Sequence, residues 1–300
     1  STDTANAGEF SITFSVTDGA TGVVSAVSAF TLSFGGPQWE ANINNFSGPT
    51  GGTLTTSGIN NNQPFAAKWS YDGNLVFVLD QGFQRLHKYS VNTPFSLANA
   101  TYLGYEGFIA AWDFDYNYDG TQFSYVNGSE VTSVILSGDP WTVSGAATRL
   151  SSSPYMNTFE NAIRAHVFSW DGTKLYIVGN QYSTNYPRMH QFNLATPWDL
   201  STVTAFYGWM GQNSKEMPRY STSHGFAMNP SGTQFWIFDS RLRNLHQYNM
   251  SIPFDITSGT EVNTSSVAST GDLSLGFNQR DGTSFIMPVG GIIKSWNTGL

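Results

Sequence analysis

The residues best suited to chemistry lie in one alternating run, Asp113-x-Asp115-x-Asn117-x-Asp119-Gly120. Carboxylate and amide oxygens before a glycine turn are the groups from which calcium loops are built. Here the glycine stands at position eight, and position twelve of the run is Ser124, where a calcium loop has a Glu. The aromatic residues between the acids give the alternation of a β-strand, in which the polar side chains share one face. We predict a strand, with no metal site and no cofactor, and keep this run as the calcium candidate.

Paired carboxylates could also hydrolyse a glycoside, one as general acid and the other as base or nucleophile. Asp113 and Asp115 are available, but no partner carboxylate is evident, because Glu160 and Glu216 fall in predicted connections between strands. The sequence contains no Gly-x-Ser-x-Gly, His-Glu-x-x-His or P-loop motif. We therefore predict that the protein is not an enzyme, with glycoside hydrolase as the third hypothesis.

An internal repeat predicts the elements that position these residues. An Asp-Gly turn, Ser-Gly in one case, recurs at intervals of 47, 52, 60 and 50 residues, and in four repeats a Pro follows 21 to 26 residues later. Each repeat reads as four short strands, which is the organisation of a propeller blade. The prediction is an all-β fold, a five-bladed β-propeller with an N-terminal β-hairpin extension. The five turns are Tyr71-Asp72-Gly73, Tyr118-Asp119-Gly120, Trp170-Asp171-Gly172, Pro230-Ser231-Gly232 and Arg280-Asp281-Gly282.

Repeat three shows the expected strand order. Strands A to D are predicted at residues 164–169, 174–178, 188–193 and 203–207, with one helical turn at residues 196–199. In this arrangement Asp113 and Asp115 point into the central channel, and we expect Asp115 to pair with Lys68. Equivalent strand-A residues should pack between neighbouring blades: Trp69, Tyr116, Phe168, Met228 and Phe277.

The two ends of the repeat region predict how the ring closes. The fifth repeat stops after strand C, whereas residues 52–57 precede the first strand A at the place of a strand D. We expect residues 52–57 to pair with residues 292–296, which would cover both sheet edges.

The histidines follow the repeat as well. His87, His190 and His246 hold equivalent positions on separate blades, so we expect them to lie too far apart to share a metal ion. His166 and His224 fall in strands A of adjacent blades and could approach each other, but two histidines without further ligands make a poor metal site.

The first 36 residues differ from the repeats. Two alternating runs separated by Asp18-Gly19-Ala20-Thr21-Gly22 predict an antiparallel hairpin, and Gly35-Gly36-Pro37 is the predicted hinge. The domains are therefore 1–36, an attachment hairpin, and 37–300, the propeller. The motif Val16-Thr17-Asp18-Gly19 resembles the last two strands of Ig-like or cadherin-like domains. The residues expected to contact an assembly form an apolar stripe: Phe10, Phe14, Phe30, Leu32 and Phe34.

Composition excludes several classes of function. Of the 300 residues 11% are charged, the net charge is −8, and no cluster of Lys and Arg exists to neutralise phosphates. We therefore expect no nucleic-acid partner. Cysteine is absent, which excludes disulfides and thiolate metal sites. No apolar run approaches the ~18 residues of a membrane span.

The repeats resemble those of YVTN-like propellers and of surface proteins from phages and marine bacteria. The resemblance covers residues 52–300 and rests on Phe168-Ser169-Trp170-Asp171-Gly172-Thr173-Lys174-Leu175-Tyr176 together with Thr196-Pro197-Trp198-Asp199-Leu200. Repeat four departs from the pattern with Ser231, and repeat two with Asp139. The resemblance implies a binding module on a virion or cell surface, and it transfers no catalytic residues.

The longest insertions predict a binding face. Residues 151–162, 180–187 and 209–223 all fall on the face that carries the B–C and D–A connections, and irregular loops on a rigid scaffold commonly bind ligands. The candidate ligand- or partner-binding residues on this face are Tyr155, Phe159, Tyr182, Tyr186, Arg188, Trp209, Lys215, Arg219 and Tyr220.

Three functional hypotheses follow from these patterns. The first is a structural or adhesive surface protein, such as a phage tail, fibre or capsid-decorating component, in which the hairpin contacts other structural proteins. It would be located on a virion, on a cell surface or outside the cell. The second is a carbohydrate-binding lectin, with a surface glycan as its partner. The third is the glycoside hydrolase.

Overall fold

A computed structural model describes the propeller through most of its length. The described residues are 64–80, 82–107, 111–128, 130–136, 138–143, 147–152, 162–180, 188–204, 213–216, 223–267, 275–277, 282–289 and 291–297, with short strands before residue 56. Five antiparallel sheets form a five-bladed β-propeller, as the repeat predicts.

Each of the first four blades is built from consecutive strands. The strands before the first blade are β1 Glu9–Ser11, β2 Val16–Thr17, β3 Val23–Val24, β4 Thr31–Ser33 and β5 Thr53–Thr55. Blades one and two contain β6 Pro64–Trp69, β7 Leu75–Asp80, β8 Arg85–Ser90, β9 Thr101–Glu106, β10 Asp113–Tyr116, β11 Gln122–Asn127, β12 Glu130–Leu136 and β13 Ala147–Ser152. Blades three and four contain β14 Ala162–Phe168, β15 Lys174–Asn180, β16 Arg188–Leu194, β17 Val203–Thr204, β18 Asn213–Glu216, β19 Ser223–Met228, β20 Gln234–Asp239, β21 Asn244–Met250 and β22 Gly259–Ser266.

The fifth blade combines both ends of the repeat region. Its strands are β23 Gly276–Phe277, β24 Ser284–Val289 and β25 Ile292–Asn297, and β5 completes the sheet as the outer strand. Ile293 lies opposite Leu54, and Lys294 opposite Thr53. The predicted ring closure is therefore confirmed.

The A–B turn and the Pro-aromatic segment of one blade form a single unit. In blade three the Trp198 N–H donates to the Gly172 carbonyl oxygen over 2.9 Å, with Trp198 in the left-handed region at φ 63°. The indole covers Gly172 so closely that any Cβ there would clash with it. Glycine is also required because its φ is +71°. The same pair recurs as Gly73 with Phe95, Gly120 with Trp141 and Gly232 with Phe254.

This arrangement corrects the helical turn predicted at residues 196–199. Trp198 leaves helical geometry to pack on the glycine, and the 3-10 helix begins later, at Leu200–Thr202. The N-cap is Asp199, whose carboxylate accepts a hydrogen bond from the Ser201 N–H over 3.0 Å.

Strand D of blade three is described at residues 203–204, where β17 lies as predicted, and residues 205–207 of the prediction lie outside the described part. The sheet edge is formed by β17 and by β18, which both pair with β16. Strand β18 lies within the insertion predicted as a loop, so Lys215 and Glu216 are strand residues. The exposed edge of β16 accounts for this, because its unpaired backbone groups accept a further strand.

The cores lie between neighbouring blades. Phe277 packs with Trp236, and Met228 with Tyr176, in each case across a blade boundary. The five equivalent strand-A residues all belong to such clusters, as predicted.

The N-terminal segment pairs as an antiparallel hairpin in two nested sections. Strand β1 pairs with β4, with Phe10 opposite Leu32, and β2 pairs with β3. The hairpin predicted for this segment is thus present in the backbone, and its role in attachment stays a prediction.

Candidate functional site

The innermost strands bring residues of all five blades to one end of the central channel. A pocket of about 70 Å3 lies at the end of the channel where the A–B turns are. It is lined by residues of the innermost strands β6, β10, β14, β19 and β23, and by the A–B turns of blades one to four. Because one water needs roughly 10–15 Å3 of such space, the pocket has room for a few waters or a few polar groups of a ligand. Its charged lining residues, among those that the structure describes, are Lys68 and Asp115.

Below the pocket, Asp113 is held by two neighbouring blades. Lys68 Nζ lies 3.6 Å from Asp113 Oδ1, and His166 Nδ1 lies 3.4 Å from Asp113 Oδ2. The backbone N–H of His166 also donates to Asp113 Oδ2 over 3.0 Å. Burial alone would raise the pKa of Asp113, but the Lys68 ammonium and the His166 hydrogen bonds lower it to about 2. Asp113 is therefore an ionised structural anion that joins blades one, two and three.

Ser124 also contacts His166, so that Ser124, His166 and Asp113 are connected in the order of a Ser-His-Asp triad. Its Oγ lies 2.8 Å from His166 Nε2, on the ring side opposite Asp113. Ser124, His166 and Asp113 are all fully buried. A nucleophilic serine must reach its substrate, whereas these three buried side chains join strands of blades two and three. Sequence reasoning missed this arrangement, because the three residues come from three different strands.

Asp115, two residues further along β10, has a different environment. It lies deep in the molecule, but part of its surface faces the pocket. Burial and, to a smaller extent, the negative charge of Asp113 raise its pKa, against the opposing effects of Lys68 and His166. One of its oxygens accepts a hydrogen bond from the Tyr116 N–H over 3.1 Å. Asp115 is thus a carboxyl group that faces the pocket, and its environment favours the protonated form more than water does.

Three aromatic side chains form the rim of the pocket. The ring centroids of Tyr71 and Trp170 are 4.9 Å apart, and those of Tyr118 and Trp170 are 5.2 Å apart. Each residue immediately precedes the Asp-Gly of an A–B turn, in blades one, two and three. We call Tyr71, Tyr118 and Trp170 the aromatic rim. The signal that could have revealed it is the aromatic residue at this position in three of five repeats.

The residues of the calcium candidate, Asp113, Asp115, Asn117 and Asp119, make different contacts. Asp119 Oδ1 accepts from the Thr121 N–H over 3.0 Å, and Asn117 Oδ1 accepts from the Gln122 N–H over 2.9 Å, so both side chains brace the turn. No group of three or more His, Cys, Asp and Glu suited to a metal ion occurs among the described residues. The predicted pairing of Lys68 with Asp115 is wrong in its partner, because the short contact is to Asp113.

The predicted loop-face site lies largely outside the described residues. Tyr155, Phe159, Tyr182, Tyr186, Trp209, Arg219 and Tyr220 are in this group. Arg188 begins β16, and Lys215 lies in β18 opposite Met189, so both are on paired strands. The channel pocket opens at the A–B turns, whereas the insertions connect the opposite ends of the strands.

The strand-C histidines stay within their own blades. His87 Nε2 lies 3.7 Å from Asp80, and His246 Nδ1 lies 2.9 Å from Glu261 Oε1. His190 is buried in blade three. Burial lowers the pKa of His87. The side chain of His224 lies outside the described part, so its predicted approach to His166 stays a prediction.

Comparisons with known proteins find structural similarity at low sequence identity. No model of a protein family matches the sequence, and no curated protein matches it significantly. The hydrazine synthase of Kuenenia stuttgartiensis is similar over 78% of this chain and 95% of that chain, with 12% identity and a TM-score of 0.45.

Two further solved structures extend the comparison. A protein described as a candidate 6-phosphogluconolactonase, from Bacteroides fragilis, is 13% identical over 75% of this chain and 63% of its own, with a TM-score of 0.42. The WD40 domain of Toxoplasma gondii coronin is 10% identical over 77% of this chain and 54% of its own, with a TM-score of 0.43.

In the part of the chain that the structure describes, no helix is long and apolar enough to cross a membrane.

Proposed function

We propose that this chain is a non-catalytic binding protein of an extracellular or virion surface. In this proposal the propeller presents a binding face, and the N-terminal hairpin attaches the protein to an assembly such as a phage tail, fibre or capsid. Other structural proteins are the partners of the hairpin.

The proposal rests on the different positions of Asp113, which is fully buried, and Asp115, which lines the pocket. Glycoside hydrolysis needs two carboxyl groups that flank the scissile bond. Asp113 is fully buried and engaged by Lys68 and His166, which leaves Asp115 as the carboxyl that lines the pocket among the described residues. One accessible carboxyl beneath an aromatic rim supports binding better than hydrolysis.

The hairpin supports the attachment part of the proposal. A two-stranded sheet is at best marginally stable on its own, so it needs a surface to cover it. The predicted apolar stripe includes Phe10 and Leu32, which lie opposite each other in β1 and β4. Covering such side chains is worth a few kcal/mol at ~25 cal/mol per Å2.

A truncation series tests attachment. Deletion of residues 1–36 should leave a folded propeller, because β5 remains to close the ring, but this variant should no longer be incorporated into particles made by the native source. Deletion of residues 1–56 also removes β5 and is the control for loss of folding. If the shorter deletion unfolds the protein, the hairpin belongs to the propeller core. If the variant is still incorporated, another surface makes the contact.

An activity assay tests the absence of catalysis. We expect no product when the full chain is incubated with a panel of oligosaccharides. Cleavage that Asp115→Asn abolishes, in a variant that remains folded, would contradict the proposal.

The aromatic rim favours the lectin as a second candidate function. Large, rigid aromatic surfaces beside a few convergent polar groups are typical of small-molecule sites. The rim and Asp115 supply both.

A further inference from the structure

We propose that the mouth of the central channel binds one neutral pyranose ring at the end of a glycan. The sugar ring would lie against Trp170 and Tyr118, with its hydroxyl groups directed at Asp115 and Lys68. This proposal rests on the binding function proposed above, and it places the ligand at the face opposite the predicted loop site.

The aromatic rim provides the stacking surface. Trp170 contacts rings from two other blades, so its orientation is fixed by packing on Tyr71 and Tyr118. Tyr118 is nevertheless 53% exposed, which leaves much of its surface open. The C–H bonds on one face of a pyranose are apolar and slightly positive, and they suit the negative face of an aromatic ring. A rigid aromatic surface also loses little conformational entropy on binding.

The pocket beneath the rim provides polar groups close to this surface. Asp115 accepts a hydrogen bond from the Tyr116 N–H through one oxygen, and when protonated it can also donate. Hydroxyl-rich ligands satisfy both donors and acceptors, and an apolar ligand would satisfy neither.

The charges in the site favour a neutral ligand. Asp113 pairs with Lys68 from below, and Asp115 adds the second carboxyl near the same ammonium. An anionic sugar would therefore meet no unpaired cation among the described lining residues and would face Asp115. Hydrogen bonding, and not charge pairing, is the interaction that this pocket offers.

The size of the pocket favours a single terminal residue. A volume of about 70 Å3 accommodates a few hydroxyl groups or one short substituent, and the ring itself would rest at the aromatic rim. Binding at such a shallow site would be weak for one copy, and display of many copies on a surface would increase the avidity.

Glycan binding by the full-length protein tests the proposal. The probes are an array of neutral hexose- and N-acetylhexosamine-terminated oligosaccharides, followed by calorimetric titration with the best ligand. Trp170→Ala should weaken binding by about 3-fold to 12-fold, and Tyr118→Ala by about 2-fold to 10-fold, because each removes one stacking surface. Asp115→Asn should weaken binding by a similar factor.

Tyr105→Ala is the matched control. Tyr105 has the same 53% exposure as Tyr118, but it lies on the outer strand β9, away from the channel. This variant should bind the glycan as the unchanged protein does. A thermal melt of each variant separates loss of binding from loss of folding.

The outcomes distinguish this proposal from the broader one. Unchanged glycan affinity in folded Trp170→Ala and Tyr118→Ala variants would overturn the channel site and place the ligand elsewhere. If the folded protein binds no glycan on the array, the sugar proposal is wrong. The attachment function is tested separately, by the truncation series. Tighter binding of sialylated or sulphated glycans than of neutral ones would also contradict it.

Discussion

At the scale of single residues, the channel contains two acids with opposite properties. Asp113 is enclosed by Lys68 and His166, and its pKa falls to about 2. Asp115 faces the pocket on the same strand, and burial raises its pKa. Environments that separate the pKa values of neighbouring acids also separate their roles. We assign Asp113 to stability, and Asp115 is the residue that we propose for ligand binding.

Asp113→Asn should destabilise the protein at neutral pH. Folding lowers the pKa of Asp113 from 3.8 to about 2. The resulting stability, about 2 kcal/mol, is present above the unfolded pKa and is lost as the pH falls from about 4 to 2. Urea unfolding at pH 7 and pH 3 should therefore show a larger loss for the variant at pH 7. Asp119→Asn, in the exposed turn, is the control and should change the free energy of unfolding by about 0.5 kcal/mol or less. Equal losses at both pH values would contradict this assignment.

Asp115→Asn should have the opposite effect on stability. Because folding raises the pKa of Asp115, its contribution is most favourable at low pH and is lost as the pH rises through the folded value. The amide removes this penalty, so the variant should be more stable than the unchanged protein at pH 7, and the gain should disappear near pH 4. Thermal melts at the two pH values measure it. A gain at pH 7 with weaker glycan binding is the pattern of a residue retained for function. Destabilisation at pH 7 would show that Asp115 is structural.

At the scale of elements, the repeated unit is a turn locked by an aromatic ring. Gly172 carries φ +71°, and Trp198 covers it while its N–H bonds to the Gly172 carbonyl. Asp171 fixes the other side of the turn, because its Oδ1 accepts from the Thr173 N–H over 3.0 Å and from Ser169 Oγ over 2.6 Å. These contacts explain why Asp-Gly and Pro-aromatic recur together, whatever the protein binds.

Gly172→Ala should lower the free energy of unfolding by about 2–4 kcal/mol. The added methyl group would meet the Trp198 indole, and alanine disfavours a positive φ. Gly138→Ala is the matched control, because a Cβ at Gly138 has no heavy atom within 4 Å and its φ needs no glycine. Chemical unfolding of the two variants measures the difference. Similar stability of both would show that the contact is not essential to the blade.

At the scale of the whole molecule, ring closure depends on a strand from the opposite end of the repeat region. Strand β5 supplies the outer edge of blade five, and Leu54 packs in one core with Trp69 and Ile293. This core lies between blades five and one, so the closing strand joins the first blade to the last. Without it, β25 would present an unpaired edge.

Leu54→Ala should lower the free energy of unfolding by about 2–4 kcal/mol, because it removes a buried side chain at this junction. Thr53→Ala, the exposed neighbour in β5, should change it by about 0.5 kcal/mol or less. Equilibrium unfolding, with light scattering to detect association through the β25 edge, tests both. A Leu54 variant as stable as the Thr53 variant would mean that closure does not depend on this core.

The sequence alone determined the number of blades, the closing strand and the residues between blades, because these features repeat with the chain. It did not predict the left-handed Trp198, since that conformation results from packing on Gly172. It also placed β18 in a loop, because an edge strand is defined by the neighbour that accepts it.

Tertiary structure decided the candidate site. Asp113, Ser124 and His166 come from separate strands, and only the packing of blades two and three brings them together. The same holds for Tyr71 and Trp170, which belong to non-adjacent blades and meet across the channel mouth. A repeat specifies local pairing within each blade, whereas the contacts around the axis depend on how five different blades close into one ring.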